Sequence, residues 1–186
     1  NKIPLGYDAG IYRYAISHGL NNLDPWIRSS VEPGFLYLFE PLKLIFSIDQ
    51  LLIGVFIAFN IILGISLYLF TSKYFGRFEA LISLFIFALS TVQYKVFTFM
   101  YYKNIIALSF LLLSLFFYQK QKENSNFNRI AFVVLAGLVG AVHRPTFYIF
   151  GLSYFFYTIS FLFYRRKYFL SNFINGILIL VIASLF

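Results

Sequence analysis

Two kinds of side chain are scarce in this sequence of 186 residues: it has no cysteine, and only 12% of its residues are charged. The lack of cysteine excludes disulfide bonds and thiolate metal sites. Soluble domains carry about 25% charged residues, whereas here 60% of the residues are hydrophobic and the mean hydropathy is +0.78. The composition therefore excludes a water-soluble globular domain and predicts an all-α polytopic membrane protein.

Sequence motifs for several chemistries are also missing. The chain has no metal-ligand spacing, phosphate loop, nucleophile elbow or kinase motif, and its two histidines are too few for a zinc site by themselves. We expect no resident metal or other cofactor, with a divalent cation held by Asp8 and Glu32 as the one alternative left open. The net charge of +8 is expected to serve membrane topology and anionic lipid, with no nucleic acid as a partner.

Long apolar runs separated by charged clusters predict six transmembrane helices. Their expected ranges are about 50–72, 78–95, 102–119, 129–143, 145–164 and 168–186. The preceding residues, 1–49, are expected to form an extracytoplasmic loop, and residues 50–186 the helix bundle. Because the chain begins at Asn1 without methionine and ends at Phe186 inside an apolar run, we expect a piece of a longer protein, incomplete at both ends.

The basic residues predict the orientation of the chain. Alternating spans place eight Lys and Arg in three short connections, at 73–77, 119–129 and 165–167, and seven on the opposite side. Cytoplasmic loops of membrane proteins carry the excess of basic residues. We therefore predict an integral protein of the plasma (cytoplasmic) membrane whose residues 1–49 are extracytoplasmic, with membrane lipid as a partner of the basic clusters.

Acidic residues are concentrated in the first segment, which holds five of the seven in the chain: Asp8, Asp24, Glu32, Glu40 and Asp49. The predicted spans have no ionisable residue near their middles, where transporters of ions or charged substrates usually carry one. Polar chemistry is therefore expected at the outer surface of the bundle and not within the membrane.

Two amphipathic interfacial helices are predicted in this segment, joined by a loop over 21–31. The first covers 8–20, with Gly19 as its plausible C-terminal stop, and is expected to lie on the membrane with Ile11, Ala15 and Ile16 on its apolar side. The joining loop carries Trp26, the only tryptophan, which suits the headgroup boundary.

The second interfacial helix is expected to begin at Pro33, because proline is favoured at the first helical position. Pro41 should kink or restart it. One apolar face is predicted for this helix, made of Phe35, Phe39, Leu42 and Phe46.

Asp8 is the candidate catalytic residue. An ionised carboxylate at the membrane surface can act as a general base when it lies within hydrogen-bond reach of a bound hydroxyl. The alternative is structural, because Asp is a preferred N-cap and would then only begin the first interfacial helix. The sequence leaves both roles open.

Glu32, Lys103, His143 and Arg144 form the predicted substrate-binding set on the same outer side. Arg144 can donate two parallel hydrogen bonds to a phosphate, and Lys103 supplies a point charge. Glu32 can orient a sugar. Simpler roles, which are the commoner ones for such residues, are also open: a solvated acid at a helix start for Glu32, snorkelling for the two cations, and a hydrogen bond to a local carbonyl for His143.

Four stretches of the chain resemble parts of one family. GYDAGIYRYA (6–15) places an acid in an aromatic setting, and EPGFLYLFEPL (32–42) is a helix start with acid, proline and glycine. YYKNIIALSFLLLSL (101–115) follows an outer basic residue, and LAGLVGAVHRPTFYIF (135–150) has a short span, a basic outer turn and a returning span. In this order they resemble the GT-C superfamily of integral-membrane glycosyltransferases, of the mannosyltransferase-like type that uses polyprenyl-phosphate sugars.

The resemblance implies inverting transfer of a sugar from a polyprenyl-phosphate donor to a hydroxyl of a glycan, lipid or protein acceptor on the outer face. In that role Asp8 takes the proton of the acceptor hydroxyl, while Arg144, Lys103 and His143 stabilise the departing lipid phosphate. The resemblance also implies one further span before Asn1 and further spans after Phe186.

Two other interpretations stay open. Exopolysaccharide proteins of the EpsG type and O-antigen polymerases are also similar, since they share the EPG helix start and an outer histidine near His143; their arginine-glutamine pair would fall at Lys103 and Asn104. A non-enzymatic transporter or scaffold is the third interpretation. An inverted repeat of this segment elsewhere in the whole protein would favour transport.

Cysteine labelling in intact cells tests the predicted orientation. Because the chain has no cysteine of its own, single cysteines can be introduced without background. We expect Asn22→Cys to react with a membrane-impermeant thiol reagent and Asn124→Cys to react only after permeabilisation, since the basic connections lie inside. The reverse pattern would place residues 1–49 in the cytoplasm and remove the basis for chemistry on the outer face.

Overall fold

The computed structural model describes residues 7–91, 95, 101–120 and 126–186, and at 7–9, 20, 164 and 167 it describes the backbone alone. Within these ranges the regular structure is helical and contains no strand, as the composition predicts. The helices, numbered here in chain order, are α1 (Tyr7–His18), α2 (Pro25–Ser30), α3 (Pro33–Phe39), α4 (Ile48–Tyr74), α5 (Arg77–Leu89), α6 (Tyr102–Lys120), α7 (Asn126–Val142), α8 (Arg144–Tyr164) and α9 (Arg166–Ser184).

Three described helices are long and apolar enough to cross a membrane, namely Ile48–Tyr74, Tyr102–Lys120 and Arg144–Phe163. They coincide with the first, third and fifth predicted spans, which supports an integral membrane protein. Two further apolar helices, Asn126–Val142 and Tyr168–Ser184, are shorter. α5 has 13 residues, about 20 Å at 1.5 Å per residue, and the predicted span 78–95 continues into residues that lie partly outside the described ranges. The count of six spans stays a prediction.

The first segment has more regular structure than expected. α1 ends at His18, and the next residue, Gly19, has a φ of 69° that L side chains rarely adopt, so the predicted stop is confirmed. The stretch 21–31, expected to be a loop, contains α2, because Pro25 occupies the first helical position after Asp24. Trp26 lies on this helix and is exposed.

Pro41 interrupts the second predicted helix, as expected. α3 ends at Phe39, and a short 3-10 turn follows over Pro41–Leu44. Phe35 and Phe39 are fully buried, whereas Phe46 is 48% exposed. The predicted four-residue face is therefore wrong at Phe46, because the change of helix type at Pro41 ends the 3.6-residue periodicity that would have aligned it.

An aromatic cluster around Tyr102, the first residue of α6, joins the first segment to the bundle. Tyr102 contacts the rings of Tyr12 and Phe56 edge-on, each at a centroid distance of 5.3 Å, and Phe35 packs on Tyr12 at 4.8 Å. Ala15 and Ile16 of α1 are also buried in this core. The apolar side of α1 therefore packs against protein, which corrects the expectation that it lies on the membrane.

Glycine permits the closest approach between the first segment and the bundle. A Cβ added at Gly34 of α3 would lie 2.5 Å from the carbonyl oxygen of Ala141 near the end of α7, a separation that real side chains do not show. α3 can therefore reach the backbone of α7 only with glycine at this position. The contact places Glu32, two residues earlier, beside the turn between α7 and α8.

Small residues also bring α7 against α9 inside the bundle. A Cβ at Gly137 would lie 2.5 Å from Cγ2 of Ile182, and one at Gly140 would lie 2.8 Å from Cβ of Ala183. Close backbone approach through small residues is the common way in which membrane helices associate. The basic residue that begins this face of α7, Arg129, is thereby held next to α9.

Candidate functional site

A polar cleft of about 310 Å³ opens at the end of the bundle that the first segment covers. α1 forms one wall, the end of α2 a second, and the start of α6 together with the α7–α8 turn a third. The lining residues are Ile11, Tyr12, Ser30, Val31, Tyr101, Lys103, Asn104 and His143. Two members of the predicted substrate-binding set, Lys103 and His143, therefore share one cavity.

A buried ion pair forms the floor of this region. The Nζ of Lys103 donates to Oε2 of Glu32 at 2.8 Å and to the backbone carbonyl of Ser30 at 2.9 Å. The two side chains are only 15% and 10% exposed. Removing one partner of such a pair typically costs about 3–5 kcal/mol, because the other charge is left buried without compensation.

Glu32 takes this position because of the local sequence. It is the residue before α3, with an extended backbone, and Pro33 follows at the first helical position, where its missing N–H is no loss. The carboxylate turns toward α6, so that it binds Lys103 and does not cap its own helix. Glu32 is therefore a buried partner of Lys103, and the expectation of a solvated helix-start acid is wrong.

Arg144 joins the cluster through its backbone. Its N–H donates to Oε1 of Glu32 at 3.4 Å, while its side chain is exposed. The guanidinium is not part of the cleft wall, and Arg144 is the first residue of α8, next in sequence to the cleft residue His143. The residue therefore has two separable functions, a backbone contact to Glu32 and a surface cation.

His143 lies between α7 and α8 and is half-buried. Its Nδ1 is 2.7 Å from Oγ1 of Thr146. Burial lowers the pKa of the imidazole below its ordinary value of 6.5, while the Glu32 carboxylate raises it and the Lys103 ammonium lowers it. At neutral pH the ring is therefore uncharged and contributes hydrogen bonds to the cleft. Its partner is a hydroxyl and not the local carbonyl expected from the sequence.

Asp8 is the second residue of α1, and its side chain lies outside the described part of the chain. The helix begins one residue earlier than expected, so Asp8 belongs to its first turn, where the helix dipole favours a carboxylate. Residues four apart share a helix face, and Tyr12, four residues later, lines the cleft. The backbone therefore places Asp8 one helical turn before Tyr12 on α1.

A divalent cation does not fit the described carboxylate. Both oxygens of Glu32 already accept hydrogen bonds, from Lys103 and from the backbone of Arg144, and the adjacent ammonium would repel a cation. Among the described residues no group of three His, Cys, Asp or Glu side chains is close enough to hold a metal. A cation held jointly by Asp8 and Glu32 would require the Lys103 pair to break.

A second cavity, an apolar groove of about 830 Å³, lies between α4, α6, α7 and α8. Its wall includes Leu108, Leu111, Leu115 and Tyr118 of α6, and Thr146, Ile149, Phe150, Ser153, Tyr154 and Tyr157 of α8. The two sets span eleven and twelve residues, or about 16 Å along each helix. We refer to this cavity as the intramembrane groove.

One hydrogen bond joins a wall residue of the cleft to a wall residue of the intramembrane groove. His143 lines the cleft, Thr146 lines the groove, and their side chains are 2.7 Å apart. Sequence reasoning missed the groove, because its wall is assembled from helices whose apolar residues look alike in a span. The only signal was the threonine three residues after His143, which is one turn of helix away.

Comparison of this sequence and structure with protein-family models, with curated proteins and with solved structures finds no match.

The lowered pKa of His143 predicts acid-sensitive stability. The unfolded chain binds a proton near pH 6.5, whereas the folded chain binds it only at lower pH, so stability is full above about pH 6.5 and falls as the pH drops. We expect the Tm of the purified protein to fall between pH 7.5 and 5.5, and His143→Gln to reduce this fall. His18→Gln, which removes the other histidine, should keep it. An unchanged pH profile in His143→Gln would contradict the assignment.

Proposed function

We propose that this chain is part of a membrane glycosyltransferase that moves a sugar from a polyprenyl-phosphate donor to an acceptor hydroxyl at the surface of the membrane. The observation that carries the proposal is the junction of the polar cleft with the intramembrane groove through His143 and Thr146. A ligand that fills both cavities must have a polar, anionic head and a long apolar tail. A polyprenyl-phosphate sugar has this shape and charge.

Lys103 in the cleft and Arg144 next to the cleft residue His143 suit a phosphate that gains charge during transfer. Lys103 is balanced by Glu32, but an ammonium has three N–H donors, and the two described hydrogen bonds leave one for a ligand. Arg144 adds a charge with no described acidic partner for its guanidinium and can bind phosphate with two parallel hydrogen bonds. Glu32 then acts as a positioning residue for Lys103.

The tail would lie in the intramembrane groove. Leu108, Leu111 and Leu115 form one side of it, and Ile149 and Phe150 the other. The hydrophobic gain of about 25 cal/mol per Å² applies to surface removed from water, and the tail moves into the groove from the lipid bilayer, so this gain is largely absent. The main effect of tail binding is therefore to orient the head group over the cleft.

The reaction is a single displacement with inversion. The acceptor hydroxyl gives its proton to the carboxylate of Asp8 while its oxygen forms a bond to the anomeric carbon. The bond from that carbon to the phosphate oxygen breaks on the opposite face, and polyprenyl phosphate leaves with the electron pair. Arg144 and Lys103 stabilise the charge on that oxygen, His143 donates or accepts a hydrogen bond, and the scheme needs no cofactor. The acceptor is a glycan, a lipid or a protein.

Binding of the lipid product tests the two-cavity arrangement without knowledge of the sugar. We expect the purified protein to bind long-chain polyprenyl phosphate, and Ser153→Phe, which narrows the intramembrane groove, to weaken that binding at least about tenfold. Leu152→Phe is the matched control, because Leu152 is 60% exposed and is not part of the groove wall.

A short-chain prenyl phosphate separates the head from the tail in the same assay. Ser153→Phe should leave its affinity unchanged, whereas Arg144→Ala should weaken both the short and the long ligand, and Arg144→Lys should restore them only in part, since the planar fork is lost. The proposed donor site would be refuted if the unaltered protein and these three variants bound both ligands with equal affinity.

Substitution of Asp8 separates a general base from a residue that only stabilises α1. Asn has a similar size and is a good residue near a helix start, but it cannot accept a proton at neutral pH. In membranes supplied with polyprenyl-phosphate hexoses, Asp8→Asn should lower transfer by at least about 10²-fold, with unchanged expression and polyprenyl-phosphate affinity and with no larger loss of Tm than in Asp8→Ala. Asp8→Ala should lose transfer and up to about 1 kcal/mol of stability, because a carboxylate in the first turn interacts favourably with the helix dipole.

Near-normal transfer by Asp8→Asn would mean that Asp8 has only a structural role. Because binding of polyprenyl phosphate is measured separately, this outcome would remove the assigned base without removing the donor site.

A further inference from the structure

A third cavity lies at the end of the bundle opposite the polar cleft. It is a groove of about 510 Å³ between α7 and α9, lined by Asn126, Arg129, Ile130, Val133, Val134, Leu178 and Ile182. Arg129 is 14 residues before His143 along α7, or about 20 Å away. This groove, which we call the Arg129 groove, therefore has no part in the proposed transfer reaction.

Arg129 is fixed at the mouth of this groove by a buried amide. Its Nε donates to Oδ1 of Asn175 on α9 at 2.7 Å, and Asn175 is fully buried. An arginine that only snorkels extends to water, whereas this one is held against the neighbouring helix. The hydrogen bond at Nε sets the plane of the guanidinium and leaves its terminal N–H groups for another acceptor.

In the part of the chain that the structure describes, the charge of Arg129 has no acidic partner. The ion pairs there join Arg13 to Asp49, Lys43 to Glu40, and Lys103 to Glu32. The remaining wall of the groove is apolar, apart from Asn126. The guanidinium of Arg129 at one end and the aliphatic side chains along the rest of the groove form a surface that is complementary to an anionic amphiphile.

We propose that the Arg129 groove binds one anionic phospholipid of the surrounding leaflet. The phosphate accepts two hydrogen bonds from the terminal nitrogens of Arg129, and an acyl chain lies along Ile130, Val134, Leu178 and Ile182. Basic pockets between transmembrane helices commonly take acidic head groups in this way. The lipid contacts both α7 and α9 and so stabilises their packing. α7 also leads into the α7–α8 turn of the polar cleft.

Thermal unfolding of the purified chain in nanodiscs provides the test. We expect dioleoyl phosphatidylglycerol to raise the Tm by several degrees relative to dioleoyl phosphatidylcholine, and native mass spectrometry to retain one phosphatidylglycerol on the protein. Arg129→Gln should lose both effects. Arg166→Gln is the matched control, because Arg166 is an exposed basic residue of α9 outside this groove, and it should keep both.

A second variant protects the test against misfolding of Arg129→Gln. Val134→Phe fills the groove but keeps Arg129 and its bond to Asn175, and it should lower retention of phosphatidylglycerol at least tenfold. Full retention in Val134→Phe would overturn the proposal in favour of attraction to the basic surface as a whole. Glycerol phosphate without acyl chains should give no shift, and an equal shift from it would overturn the lipid as occupant.

Discussion

The buried carboxylate of Glu32 is the constraint on which the polar end of this protein depends. A charge that is 8% exposed beside an apolar core is tolerated only with close partners. The partners come from two distant parts of the chain, the ammonium of Lys103 at 2.8 Å and the backbone N–H of Arg144 at 3.4 Å. Satisfying this one group therefore fixes the first segment, the start of α6 and the α7–α8 turn relative to one another, and those three elements supply walls of the cleft.

The close approach at Gly34 makes this arrangement possible. Without a side chain there, α3 reaches the backbone of Ala141, and the carboxylate two residues earlier falls next to the turn that carries His143. The aromatic contacts of Tyr102 hold the same elements from the other side. The hydrogen bonds of Glu32 and the apolar packing around Tyr102 thus favour the same arrangement of helices. Such agreement is expected of a sequence with one stable fold.

The two partly buried cations at opposite ends of the bundle differ in the group that holds them. Lys103 is balanced by an acid and faces a polar cleft, whereas Arg129 is held by the neutral amide of Asn175 and faces an apolar groove. A cation paired with an acid can still turn one N–H toward a ligand, while one without a described acidic partner is free to bind an external anion. Together with the intramembrane groove beside His143, this difference supports two lipid sites with separate roles, one for a reacting donor and one for a structural lipid.

The sequence by itself determined the features that depend on local chemistry: the membrane class from composition, the three longest spans from their apolar runs, and helix limits at Gly19, Pro33 and Pro41 from backbone preferences. It also indicated that Glu32, Lys103 and His143 are polar residues on the same side of the membrane. Only the tertiary structure decided that Glu32 pairs with a residue 71 positions away, that Ile16 faces protein and not lipid, and that Thr146 joins a cleft to a groove. A helix that faces lipid and a helix that faces another helix have the same apolar periodicity. The pattern therefore predicts the helix but not the surface on which it packs. That surface is determined by close contacts at single glycines and by the pairing of buried charges.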